Sequence, residues 1–144
     1  MTGLVRKKFP PALRACWMTL NAAFKNRLQA VGLTPDQYSV LRWLNELTKA
    51  SLCQKDLANL MFTDANNIAG LVKRMEGLNL ISRQFHPNDK RKKIIRITNL
   101  GIDKLNKSRS IANSLENEFL SGLENEDRKK IIRYLQKICN FLHG

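Results

Sequence analysis

The chain has 144 residues, with 25 Lys or Arg against 12 Asp or Glu and a formal net charge of +13. Such an excess points to nucleic acid as a partner, ahead of an acidic membrane surface, while 43% hydrophobic residues suffice for a core and exclude wholesale disorder. The cysteines Cys16, Cys53 and Cys139 are scattered and the histidines are only His86 and His143, which excludes a structural zinc site.

No long apolar run follows the basic start Met1 to Lys8, so neither a signal peptide nor a membrane span is expected. Free thiols fit a reducing, cytoplasmic setting. No metal and no cofactor are expected.

Pro10-Pro11 suits a helix start, and Leu13, Cys16, Trp17, Leu20, Phe24, Leu28 and Val31 recur at helical spacing up to Gly32. Thr34 caps a second helix, with Pro35 behind it and Tyr38, Leu41, Leu44 and Leu47 as its stripe. After a loop at 48–52, a short helix is expected at about 53–61, burying Leu57, Leu60 and Met61. Asp64 caps a fourth helix at about 64–78 whose inward stripe is Ile68, Leu71, Val72 and Met75. Its other face carries Ala65, Asn66, Asn67, Ala69, Gly70, Lys73 and Arg74, small and polar at first and then basic. Asn79 takes the left-handed position after the helix that glycine usually holds.

Strands are predicted at about 81–86 and 93–98, joined by a turn through Pro87, Asn88 and Asp89. Thr98 caps a long helix to about Gly122, with Ile102, Leu105, Ile111, Leu115 and Phe119 on one side. Arg128 to Leu142 forms the last helix, striped by Ile131, Leu135, Ile138 and Leu142. The terminal helices carry more apolar residues than two lone helices can bury, which suggests a second copy of the chain.

A helix pair followed by a hairpin with a crowded cationic tip is costly unless the tip meets a polyanion. Duplex DNA is one, and a helix of this size fits its major groove. Several residues then acquire two readings. Arg91, planar and always charged, suits a narrow minor groove, or it is a solvated turn arginine. Lys90, Lys92 and Lys93 contact phosphates or are simply solvated. Asn66 and Asn67 can pair with adenine edges, or they are surface residues beside a cap. Gly70 allows close approach to DNA, or close packing against a neighbouring helix. Lys73 and Arg74 fit phosphate contact, or Arg74 pairs with Asp64 or Glu76. Trp17 and Phe24, with Tyr38, are candidates for an effector pocket, or they are ordinary core aromatics. Cys53 at a helix start is a sensor thiol or an inert cap.

From about Gly32 onward the chain resembles the MarR family of winged-helix regulators. The resemblance rests on Leu33-Thr34-Pro35-x-Gln37-Tyr38, Asp56-Leu57-Ala58-x-Leu60, Leu71-Val72-x-Arg74-Met75-Glu76, Leu80-Ile81-x-Arg83, Asp89-x-Arg91 and Ile97-Thr98-x-x-Gly101. It implies a mainly α fold with a small β-hairpin wing, read as one domain over 1–144. The winged-helix DNA-binding part lies at about 34–100, and the dimerisation helices at about 9–31 and 102–144. It implies a homodimer, a recognition helix at 64–78 in the major groove, and a wing at 86–93 reaching the minor groove, with Arg83 counted among the wing's DNA-binding residues. Arg91 is then the minor-groove residue and Asp89 its brace.

Regulators of this kind commonly lose DNA affinity on meeting an aromatic or phenolic ligand, or an oxidant. The chain departs from the pattern at Cys53, where Thr or Ser usually stands, at Phe62 and at Asn66-Asn67. No reactive thiol occupies the usual place in the first helix; Cys16 lies further along.

There is no Gly-rich phosphate loop, no Ser/His/Asp set and no paired carboxylates, so no enzyme is expected and no catalytic residue is assigned. The reading is a dimeric transcription regulator, probing as alternatives an architectural or anti-silencing DNA binder of low specificity and a basic protein-interaction scaffold.

Overall fold

The computed structural model describes residues 7–143; the start of the basic N-terminal stretch and the final glycine lie outside them. The described chain runs α1 (Phe9–Leu28), a 3-10 turn (Gln29–Val31), α2 (Pro35–Glu46), α3 (Gln54–Leu60), α4 (Ala65–Gly77), β1 (Ile81–His86), β2 (Asp89–Ile97), α5 (Asn99–Phe119) and α6 (Asn125–His143). It divides into two compact units, Met1–Ile111 and Ala112–Gly144, with the boundary inside α5. No described helix is long and apolar enough to cross a membrane.

The first unit holds the core. Leu28, Val40, Leu41, Leu57, Ile68, Val72, Met75, Leu80, Ile81, Ile95 and Leu105 are all buried. Each helix end has a local chemical cause. Thr34 Oγ1 accepts from the Gln37 N–H at 3.2 Å, and Gln37 Oε1 accepts from the Thr34 N–H at 3.1 Å, a closed capping box. At α3 the pattern is one-sided: the Cys53 N–H and thiol both donate to Asp56 Oδ2, at 2.9 and 3.2 Å. The Cys53 backbone bond, ahead of its thiol and of Lys92 and Lys55, holds the Asp56 carboxyl below the usual carboxylate range against the opposing effect of burial. Asn79 leaves α4 with φ at 60°, as its sequence position suggested.

The sheet is a two-stranded antiparallel hairpin, from Ile81↔Ile97 outward to His86↔Asp89. Beyond it, the Ile95 N–H donates to the Leu52 carbonyl at 2.8 Å. Arg96 Nη1 reaches the Thr48 and Ala50 carbonyls at 3.4 Å each, so the connection after α2 is pinned along β2.

At the return to α5, Thr98 Oγ1 donates to the Asn79 carbonyl at 2.6 Å and accepts from the Gly101 N–H at 3.0 Å. Gly101 lies so close to β1 that a Cβ there would overlap the Leu80 carbonyl oxygen. Lys104 Nζ donates to the Val31 carbonyl at 2.8 Å and ties α5 to the turn after α1.

Several sequence expectations shift. The third helix is shorter than 53–61, and it buries Leu57 and Ala58 while Leu60 and Met61 are only half-buried, because the chain has already turned away at Met61. The second strand begins at Asp89, not 93, because the turn itself is only Pro87–Asn88. The last helix starts at Asn125, with Glu126 and Asp127 in its first turn, where carboxylates favour the positive helix end. The apolar stripe of α1 is largely uncovered: Leu13, Trp17 and Met18 are exposed, and only Leu28 is fully buried. In the second unit, Ile132, Tyr134, Leu135, Ile138 and Phe141 of α6 are likewise exposed.

Candidate nucleic-acid interface

The outward face of α4 is built from its first residue. Asp64 Oδ1 accepts from the Asn67 N–H at 2.8 Å and fixes the helix start. The Asn67 side-chain amide is also engaged, donating to Thr63 Oγ1 at 3.2 Å and Asp64 Oδ2 at 3.3 Å. Asn66 is exposed with no side-chain partner among the described residues, so the two asparagines are not equivalent. Ala65, Ala69 and Lys73 are exposed along the same face.

Above Gly70 the nearest group is Arg74 Nη1, at 3.3 Å from where a Cβ would stand; no neighbouring helix approaches. Close helix packing at Gly70 is therefore not the reason for the glycine. Arg74 pairs with neither Asp64 nor Glu76, the partners considered for it from sequence: Asp64 is committed to Asn67, and Glu76 to Arg83. Before the helix, Phe62 stands exposed with φ at 52°, a left-handed conformation that a bulky side chain adopts only under strain.

The wing carries a bulge. Phe85 pairs with Lys93 and His86 with Asp89, so β1 advances one residue while β2 spans four, leaving Lys90, Arg91 and Lys92 without cross-strand partners. The expected wing cations are thus an outward kink of β2. Asp89 Oδ1 accepts from the Arg91 N–H at 3.0 Å and from Arg91 Nε at 3.3 Å. The Arg91 backbone bond, against the opposing effect of burial and with help from the Arg91 side chain, holds the Asp89 carboxyl below the usual range. The Arg91 side chain is nonetheless 92% exposed, braced at its root and open at its end.

Arg83, expected among the DNA-binding wing residues, is engaged within the protein. Its guanidinium forks onto Glu76, Nε to Oε2 at 3.0 Å and Nη2 to Oε1 at 2.8 Å, and Nη1 reaches Gln54 Oε1 at 3.4 Å. It joins β1 to the last turn of α4 and to the start of α3. The Arg83 hydrogen bond is the main reason that the Glu76 carboxyl lies below its usual range.

Of the aromatic trio, two rings meet and the third stands apart along α1. Phe24 and Tyr38 meet edge to face at 5.1 Å between ring centroids, against the core. Trp17 is 61% exposed, further along α1. A cavity of about 290 Å³ instead opens nearby, lined by Asn21 and Lys25 of α1, Thr34 to Gln37 at the start of α2, and Leu71 and Arg74 of α4. A second, of about 370 Å³, lies between the start of α3 and the wing, lined by Cys53, Gln54, Lys55, Arg83, Arg91, Lys92 and Lys93. Lys55 and Gln54 escaped the sequence reading because only the Leu52–Ile95 pairing brings the α3 start beside the hairpin.

Residues 33–93, which span α2 to the wing, match the MarR family model. HosA of Escherichia coli O111:H-, a transcriptional regulator, is 27% identical over 136 residues, 94% of this chain and 98% of HosA. CouR of Rhodococcus jostii RHA1, solved bound to p-coumaroyl-CoA, superposes with a TM-score of 0.80 at 25% identity over 89% of each chain. The S. aureus MepR–DNA complex gives a TM-score of 0.86 at 22% identity, covering 92% of this chain and 97% of MepR, a likeness of fold. The likeness of fold thus extends well beyond the residues that the family model matches.

Proposed function

We propose that this chain is a sequence-specific, DNA-binding transcription regulator that works as a homodimer on a pseudo-palindromic operator, represses by occlusion and responds to a small effector. One observation carries the reading. The uncharged, exposed start of α4 and the braced, outward Arg91 are accompanied by the exposed cations Lys73, Arg74, Lys90, Lys92 and Lys93. Asn66 is the base-reading residue of the asparagine pair, because Asn67 is occupied in the cap. Arg91 enters the minor groove, and the lysines contact phosphates. MepR, of the same fold, has been solved on DNA, and HosA is a regulator.

The homodimer is supported by the exposed apolar residues of α1 and α6, including Trp17, Met18, Ile132 and Phe141, which a lone chain leaves in water. The effector reading moves from the Trp17–Phe24–Tyr38 trio to the cavity bounded by Lys25 and Arg74. Those two cations outnumber the one lining carboxylate, Asp36, and suit the carboxylate or phenolate of a small aromatic molecule; Arg74 also belongs to the proposed DNA-facing helix. A ligand that draws Arg74 inward takes it from the duplex, and linkage then requires DNA to weaken the ligand by the same factor. CouR, with its bound p-coumaroyl-CoA, is a relative in fold that accepts an aromatic acid derivative.

Selection of bound duplexes from a random pool tests the reading. It expects an inverted repeat with half-sites about one helical turn apart. An unstructured pool would favour an architectural binder, and no bound DNA at low salt a protein-interaction scaffold.

A further inference from the structure

The tip of the wing is closed by a histidine. His86 ends β1, and its Nδ1 accepts from the Asn88 N–H at 3.1 Å, across the two-residue turn Pro87–Asn88. Pro87 has no N–H, so that of Asn88 is the first donor the turn can offer. An N–H donates only to a nitrogen that carries a lone pair. His86 is therefore neutral in this arrangement, with its proton on Nε2.

The turn sets His86 opposite Asp89, at the point where the register slips. Asp89 Oδ1 in turn accepts from the N–H and Nε of Arg91, at 3.0 and 3.3 Å. The charged groups around the tip are Asp89, Lys90, Arg91, Lys92 and Lys93 of β2 and, from α3, Lys55. Among them only Asp89 can accept a hydrogen bond from an imidazolium. Its carboxyl lies below the usual range, chiefly through the Arg91 backbone bond, so Asp89 stays ionised where histidine titrates. Histidine changes charge between pH 5 and 8. On protonation Nδ1 becomes a donor and the Asn88 N–H loses its acceptor. The available relief is Asp89, whose oxygen already holds Arg91.

We propose that His86 is a positioning residue of the wing. Neutral, it folds the turn that leaves Asp89 to brace Arg91; protonated, it takes Asp89 and releases the arginine. The grip of the wing on DNA is then weaker in acid. An added charge near phosphates would by itself have the opposite sign, tightening binding on any sequence alike. The direction of the pH response therefore separates a positioning histidine from one more wing cation.

The inference deepens the DNA-binding reading and rests on it in one of two experimental arms. Both arms use the full chain, His86→Asn and His86→Ala. Asparagine accepts through Oδ1 from the N–H two residues on, as Nδ1 does here, and does not titrate. In the first arm, without DNA, the amide resonances of Asn88 and Arg91 are followed from pH 8 to 5.5. In the parent they should move along the same curve as the His86 ring proton, and in His86→Asn they should stay in place.

In the second arm, affinity for one selected duplex is measured over the same range at fixed salt. An ordinary histidine one pH unit below its midpoint is about one-tenth neutral, so the parent should lose up to about ten-fold per half-site by pH 5.5. His86→Asn should keep the parent's pH 8 affinity throughout, and His86→Ala should be weaker at pH 8 already and respond little to acid. Amides that do not follow the histidine overturn the proposal. So does binding that tightens in acid in the parent alone, which leaves the DNA-binding reading intact. An equal acid loss in the parent and in His86→Asn overturns it too, since the loss then belongs to other groups. If the chain binds no DNA at any pH, the functional reading falls, and the first arm alone decides whether His86 positions Arg91.

Discussion

Replacing Gly70 by alanine should make the protein more stable and a poorer DNA binder. In the free chain the added methyl meets only Arg74 Nη1, at 3.3 Å, the far end of a side chain that can move aside. A glycine in mid-helix costs about 0.8–1.0 kcal/mol relative to alanine. After a small allowance for displacing Arg74, the variant should gain roughly 0.5–1 kcal/mol, visible as a rise of a few degrees in Tm. In the complex the same methyl stands between the helix backbone and the duplex. Overfilling a close-fitting contact costs about 1–3 kcal/mol, which is about a five- to 150-fold loss of affinity for each half-site. Thermal unfolding and fluorescence anisotropy on one selected duplex at one salt concentration read both effects. Unchanged or tighter DNA binding in a stabilised variant would refute the idea that the glycine lets DNA come close. Loss of stability would reveal packing at Gly70 that the free chain does not show.

Gly101→Ala should act in the opposite sense on folding, since its Cβ would overlap the backbone oxygen of Leu80, with Ile97 Cγ1 at 2.9 Å and Leu41 Cδ2 at 3.1 Å. A destabilisation of about 2–3 kcal/mol is expected from denaturant titration, and a loss under 0.5 kcal/mol would show that the approach is not rigid. Glu76 is depressed in the folded chain, chiefly by Arg83, so its contribution is present above the ordinary carboxylate range and is lost as pH falls through the lowered value. Below about pH 4.3, Glu76→Gln should therefore lose stability with acid less steeply than the parent, and parallel acid profiles would contradict this. Arg91→Ala should weaken operator binding by about 1–3 kcal/mol per half-site. Asp89→Ala should weaken it too, although it removes a negative charge, because it frees the root of Arg91; tighter operator binding by Asp89→Ala would end the bracing argument.

What could be read in the sequence was local chemistry. Thr34 with Gln37, Asp64 with the N–H of Asn67, Asn79 in its left-handed turn, and Thr98 with Gly101 each settle within a few residues, and the structure shows each contact. The inward stripe of α4 follows from spacing alone, and Ile68, Leu71, Val72 and Met75 are all buried. What could not be read depends on pairing between distant segments. Arg83 looks like one more wing cation until the hairpin folds back and sets it against Glu76 and Gln54. The bulge at Lys90 to Lys92 depends on where β1 and β2 slip relative to one another, which no local motif states. The periodicity of Leu13, Cys16 and Trp17 announces an apolar face but not what covers it. Trp17 is exposed, and the polar cavity beside Lys25 and Arg74 left no signal in the aromatic pattern.

The central claim is that α4 and the wing form the DNA-facing surface. Lysine acylation, mapped residue by residue by mass spectrometry with and without a selected duplex, tests it most directly. Lys73, Lys90, Lys92 and Lys93 should be shielded by DNA, while Lys129, Lys130 and Lys137 of α6 should react equally in both states. Shielding of the α6 lysines with the wing and Lys73 left reactive would contradict the account.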